Sequence, residues 1–207
     1  PLLGCSEIPL AAANRHLQDP QLNRALATIA GLGQDPRLAL LFWLEGQALS
    51  RWQQLPFRQL GFTPEARQRW GLERVILQPQ PSQPQLLGVV VQASPAELIQ
   101  ARGGANPWPM ADGEAIGLLS ETLLKVLAPW IGADDLPEPE QRQLMRWGGA
   151  FPLPPGLDPE AMVCPDSQLA FCGDAIAGPG FGRVSGSWHS GEWLAQRLLP
   201  LLSCPRR

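Results

Sequence analysis

Phe171-Cys172-Gly173-Asp174-Ala175-Ile176-Ala177-Gly178-Pro179-Gly180-Phe181-Gly182-Arg183-Val184, followed by Ser190-Gly191, reads as an apolar strand end, a Gly-Asp step, a glycine-rich turn and a helix. Gly178, Gly180 and Gly182 fall within five positions. Glycine tolerates positive φ and close approach, so such a cluster before a helix exposes N–H groups to a ligand, and an anion or an electron-rich ring edge suits them. A strand is expected from Gln168 to Cys172. The helix is expected from Arg183 to about Leu199 and to stop at Pro200. Val184, Trp188, Gly191, Ala195 and Leu198 recur at four- and three-residue steps and form its expected buried face. A glycine inside a helix costs roughly 1 kcal/mol against alanine, which suggests a close backbone contact at Gly191.

Working outward, the chain alternates helices and strands. Gln21 to Ala30 carries Leu22, Ala25, Leu26 and Ile29 at helical spacing, with Gly31 and Gly33 to end it. Leu38 to Leu44 is a short apolar run suited to a buried strand, and Gly46 to Leu55 is either an amphipathic helix or a loop. Arg74–Gln78 and Leu86–Gln92 flank the turn-rich Pro79-Gln80-Pro81-Ser82-Gln83-Pro84 and predict an antiparallel hairpin. Ser94-Pro95-Ala96-Glu97 carries a capping-box pattern that opens a helix toward Arg102. A longer helix follows from about Asp112 to Ala128, ended by Pro129. Leu136 to Trp147 has a helix-like entry and an end that could be extended. Phe151-Pro152-Leu153-Pro154-Pro155-Gly156 reads as a stiff, extended connector.

The run Phe-Cys-Gly-Asp, then Gly-Phe-Gly-Arg-Val, then Ser-Gly resembles the C-terminal flavin-binding segment of FAD-dependent amine oxidases, and within them the renalase-like NAD(P)/FAD-dependent oxidoreductases. Arg146-Trp147 with Ala150 and Pro152 is similar to the Arg-Trp strand that approaches the flavin in that family, which makes Met145-Arg146-Trp147 extended. Trp70-Gly71, Val75 to Pro79 and Leu87 to Ser94 look like strands of its substrate domain. The resemblance implies an α/β (α+β) fold. Residues 1–145 would form a substrate domain with a mainly antiparallel sheet, and 146–207 the C-terminal part of a Rossmann-like FAD-binding domain.

The resemblance also implies roles. Gly173 and Asp174 would meet the ribityl chain of FAD, the alternative for Asp174 being a turn cap. Gly182, Arg183 and Val184 would aim N–H groups and the positive helix end at the flavin N1 and O2 edge. Trp147 would lie nearest substrate as the candidate catalytic residue, its alternative being a core tryptophan. Arg146 could be a surface charge or a polar anchor. His189 and Glu192 fall off the buried stripe and read as solvated, and Cys172 as a small buried thiol. The implied activity is hydride transfer from a reduced small molecule, an amine or a dihydropyridine-like compound, with reoxidation by dioxygen or another acceptor. A non-catalytic flavin-binding or interaction module is the alternative.

The family opens with a Gly-x-Gly-x-x-Gly turn, and this sequence has none. Gly31-Leu32-Gly33 meets Pro36, and Gly178-x-Gly180 meets Arg183, where the third glycine belongs. With Pro1 as first residue, the expectation is the C-terminal part of a longer flavoprotein whose first FAD-binding half is the missing partner.

Composition bounds the rest. Of 207 residues 44% are hydrophobic, enough for a sizeable core. Formal net charge is -3 without a basic block, since Arg206-Arg207 is too short to count, so no nucleic-acid partner is expected. No apolar run reaches the roughly 18 residues of a membrane span, and a cytoplasmic location is expected. Cys5, Cys164, Cys172 and Cys204 contain no C-x-x-C pair, and His16 and His189 are the only histidines, so neither a metal nor a disulfide framework is expected.

Overall fold

In a hairpin the turn chemistry and the side-chain alternation must agree. Pro79 to Pro84 interrupts two β-branched runs, and the paired strands place Val75 opposite Val91 and Leu77 opposite Val89, all on the core side. The computed structural model describes residues 18–101, 103 and 106–202. Cys5, His16, Arg102, Cys204 and Arg206-Arg207 lie outside the described residues.

Chain contacts divide the protein into two units, Pro36–Gly148 and a second that joins the residues up to Asp35 to those from Gly149 onward. The N-terminal helix groups with the C-terminal segment, because Leu22, Ala25 and Ile29 share a core with Leu157, Met162, Cys164, Phe171 and Ile176. Sequence distance hides this pairing.

The unit Pro36–Gly148 is built on a five-stranded sheet. Its strands are β1 (Gln34–Leu44), β2 (Gln59–Gly61), β3 (Leu72–Pro79), β4 (Leu87–Ala93) and β5 (Gln143–Pro152), in the order β2-β3-β4-β1-β5. The β2/β3, β3/β4 and β4/β1 pairs are antiparallel. Leu38, Leu40, Phe42 and Leu44 alternate onto one face, which buries them against α2 (Gly46–Gln53), α4 (Pro95–Ala101) and α5 (Asp112–Leu127). Between β2 and β3, α3 (Pro64–Trp70) starts at Thr63, whose side chain accepts from the Ala66 N–H, and ends on Gly71 in the left-handed region. Glu73 on β3 accepts from Arg37 at 2.7 Å and Arg74 at 3.1 Å. Burial alone would raise its pKa, and these two guanidinium partners outweigh burial and lower it.

The undecided segments resolve here. Gly46–Gln53 is a helix, its Leu49 and Trp52 inward. Met145-Arg146-Trp147 is extended, in β5. The expected connector is strand only through Pro152, and the chain then turns at Pro154 and Pro155, joined by a cis peptide bond. The whole is an α+β protein with a mostly antiparallel sheet.

In the other unit, α1 (Pro20–Gly31) begins at Asp19, whose carboxylate accepts from the N–H groups of Gln21 (2.8 Å) and Leu22 (3.1 Å) and also of Ser167 (3.2 Å). One buried side chain thus caps a helix and ties it to a loop far along the chain. These bonds, Ser167 foremost, hold the carboxyl below its ordinary pKa of 3.8. A carboxyl lowered on folding stabilises above its ordinary pKa, and that contribution is lost as pH falls through the folded value. Urea midpoints measured from pH 7 down to 2 are expected to fall less steeply in Asp19→Asn than in wild type. Identical slopes would mean that Asp19 does not hold this unit together.

Among the described residues, no helix is long and apolar enough to cross a membrane, and no group of three or more His, Cys, Asp or Glu side chains could hold a metal ion.

Candidate functional site

The glycine-rich stretch lies wholly within the unit that contains α1. The strand leading to it is shorter than its apolar run suggests. Only β7 (Leu169–Ala170) forms, paired antiparallel with β6 (Val163–Cys164), and the Phe171 N–H adds one further bond to the Met162 carbonyl at 2.8 Å. The Cys172 thiol is exposed, against the expected buried one, because the strand has already ended. Cys164 is the buried thiol, its pKa raised by burial and by the nearby Asp19 charge.

Gly173 adopts φ 136°, outside the range that side-chain-bearing residues readily enter. Its N–H donates to Ser190 Oγ at 2.9 Å, and its carbonyl lies 3.1 Å from the same oxygen. Ser190, 3% exposed, is also 2.8 Å from the Ser187 carbonyl, so its single proton serves one carbonyl at a time. The Gly-Asp step is therefore clasped to α6 (Val184–Leu202) by one hydroxyl.

Beyond Asp174 the chain runs beside Leu157 in a parallel bridge. Leu157 N–H donates to the Ala175 carbonyl, and Ala177 N–H to the Leu157 carbonyl, each at 2.8 Å. The turn then closes on itself. Phe181 N–H reaches the Gly178 carbonyl (3.1 Å), Gly182 N–H the Asp174 carbonyl (2.9 Å) and Arg183 N–H the Gly180 carbonyl (2.9 Å). Gly182 and Arg183 were expected to aim their N–H groups at a ligand, and the turn instead uses both. The Asp174 carboxylate is half-buried and, among the described residues, takes part in no hydrogen bond or ion pair. The exposed Arg183 guanidinium is likewise without a partner among the described residues.

The helix is rotated relative to its apolar periodicity. Val184 is 87% and Trp188 69% exposed, and the inward positions are Gly186 and Ser190, with Leu194 packing against the core. Gly191 has no atom within 4 Å of a Cβ built on it, so the expected close contact is not there. It occurs at Gly186, where such a Cβ would lie 2.1 Å from the Gly180 carbonyl oxygen. The turn needs bare backbone beneath it, and that requirement outweighs the burial of one apolar stripe. Pro200 does not end the helix, which continues to Leu202. In a last turn a proline removes only a bond to the carbonyl four residues back, here on exposed Gln196.

A cleft of about 420 Å3 opens between residues 176–179 and α6, lined among others by Ile176, Pro179, His189, Glu192 and Trp193. His189 and Glu192 are both exposed, with Nδ1 and Oε2 3.3 Å apart. Arg197 sits 5.7 Å from the Trp193 ring centroid, donates to the Pro159 carbonyl at 2.9 Å and pairs with Glu160. Asp19, Ser190 and Arg197 form the polar frame of this unit. The Asp19-Pro20 pair, a capping residue before a first-turn proline, is the sequence signal for the first of them.

Gly173, Asp174, Gly182, Arg183 and Val184 are thus brought together, while Trp147 belongs to the other unit, on β5 and 52% exposed. Arg146 is a polar anchor. It donates to the carbonyls of Trp108 (3.3 Å) and Met110 (2.7 Å) and pairs with Asp112, fastening the start of α5 to β5.

Fold and site together define an α+β protein with a Gly-Asp step clasped by Ser190 of α6. No model of a known protein family matches the chain, and no curated protein matches it.

Proposed function

We propose that the chain is part of a FAD-dependent oxidoreductase of the amine oxidase type, with Asp174 as its flavin-binding carboxylate. The observation that carries this reading is an Asp174 carboxylate without a partner among the described residues, on a step fixed by Ser190 of α6.

The residues fit the cofactor in part. Asp174 could accept hydrogen bonds from ribityl hydroxyls, Gly173 would leave room beside them, and Val184 begins a helix whose positive end would favour negative charge on a bound flavin. Gly182 and Arg183 have spent their N–H groups within the turn and act by shaping it. The pyrophosphate and adenosine would be held by a Gly-x-Gly-x-x-Gly half that this sequence does not contain. When bound, the flavin supplies hydride acceptance from an amine or a dihydropyridine-like compound, followed by reoxidation by dioxygen or another acceptor. The committed N–H groups of Gly182 and Arg183 favour a second reading, a flavin-binding or interaction module without turnover.

The visible spectrum of the protein purified from its natural source tests the cofactor, and anaerobic bleaching by a reduced amine or dihydropyridine separates turnover from mere binding. Flavin bands are expected in stoichiometric amount. Asp174→Ala is expected to weaken FAD binding about ten- to a hundredfold, the worth of hydrogen bonds to a charged group. A protein that stays colourless with added FAD overturns the proposal. The 207-residue chain alone is expected to bind FAD weakly, since a helix end supplies about 0.3–1 kcal/mol and micromolar affinity needs about 8 kcal/mol.

A further inference from the structure

The strand alternation that buries Phe42 and Leu44 turns Trp43 to the opposite face, where it is 55% exposed. Its cross-strand partner is Gly88, and a Cβ there would lie 3.0 Å from the benzo ring, so the indole rests on bare backbone. Beside it opens a cavity of about 320 Å3, with Ala48, Leu86, Leu136 and Pro137 as apolar walls and Glu45 and Gln141 as its polar lining. Glu45 occupies the position that caps α2, yet its side chain makes no capping bond. Among the described residues its carboxylate has no hydrogen bond or ion pair.

Charges of both signs stand near the cavity. Glu138 and Glu140 are exposed on the segment that supplies Leu136 and Pro137. The nearby cation, Arg142, donates to the Pro137 carbonyl through Nε (2.8 Å) and Nη2 (2.5 Å) and to Ser120 Oγ through Nη1 (3.0 Å). Its donors are thus directed at protein groups. A hard metal ion needs several oxygen ligands, and one carboxylate does not supply them. An aromatic face, a carboxylate and apolar walls together suit a cation that carries its own apolar substituents.

We propose that this cavity binds a small organic cation, an alkylammonium recognised by the Trp43 indole and the Glu45 carboxylate. The volume sits at the low end for ligand pockets, so the ligand is small. The proposal does not depend on flavin and can succeed or fail apart from it.

Choline and its neutral carbon isostere, 3,3-dimethylbutanol, are the probes. The readout is the indole N–H resonance of Trp43 in the 15N-labelled full chain, assigned by its loss in Trp43→Phe. Choline is expected to shift that resonance saturably and to bind about tenfold tighter than the isostere. Glu45→Gln is expected to weaken choline about fivefold or more and leave the isostere unchanged. Glu45 is exposed, and an unchanged thermal midpoint will show that the variant folds. Equal affinity for both probes, choline binding unaffected by Glu45→Gln, or no shift at Trp43 would each overturn the proposal.

Discussion

Gly186→Ala is expected to destabilise the unit that carries the glycine-rich turn by about 2–4 kcal/mol, even though alanine is the better helix former. The added methyl group would sit 2.1 Å from the Gly180 carbonyl oxygen and 2.5 Å from its carbon. Both are backbone atoms, which cannot swing aside as a side-chain tip can. To make room α6 must lift, and lifting it stretches the Ser190 bonds to Gly173. Gly191→Ala, five residues along the same helix, meets nothing within 4 Å and is expected to stabilise by up to about 1 kcal/mol. Urea unfolding of both variants, with exchange protection of the Gly173 amide as a local probe, reads the contrast. If the two substitutions have effects of the same sign, α6 does not lie against the turn.

That pair of glycines shows where the sequence is legible and where it is not. Period-two and period-3.6 patterns report how apolar groups are spaced along one element, and they locate α1, β1, the β3/β4 hairpin and α5 correctly. The same pattern locates α6 but orients it wrongly, since periodicity assumes that the most apolar stripe is the buried one. Here the neighbour is a turn that demands bare backbone, so Gly186 and Ser190 face inward and Trp188 faces out. The candidate site was legible as a motif, Gly173-Asp174 followed by a glycine-rich turn. Its hydrogen bonds were not, because whether Gly182 and Arg183 donate to a ligand or to the turn depends on φ and ψ rather than on residue type. The grouping of α1 with Leu157 to Ile176 was equally hidden. A contact across some 130 residues of sequence leaves no local trace, although Asp19-Pro20 marks the helix start that makes it possible.

The larger core hangs on a tryptophan that no motif singles out. Trp52 is fully buried on α2, its ring edge-on to Phe42 with centroids 5.6 Å apart and its Nε1–H donating to the Asp135 carbonyl at 2.9 Å. The carboxylate of the same Asp135 accepts from the Gly132 N–H (2.9 Å) and from Arg51 (3.2 Å), so the segment after α5 is held from both ends of one residue. Trp52→Ala is expected to cost about 3–5 kcal/mol through the cavity it leaves. Trp52→Phe keeps an aromatic ring against Phe42 but strips the Asp135 carbonyl of its donor, and is expected to cost about 1–3 kcal/mol. Both variants lose the indole N–H bond, so the difference between them reads the packing of the ring against Phe42. If phenylalanine proves as costly as alanine, the indole N–H rather than the ring dominates the site. If it costs nothing, the Asp135 carbonyl has found another partner and the segment after α5 is less firmly tied to α2 than the geometry requires.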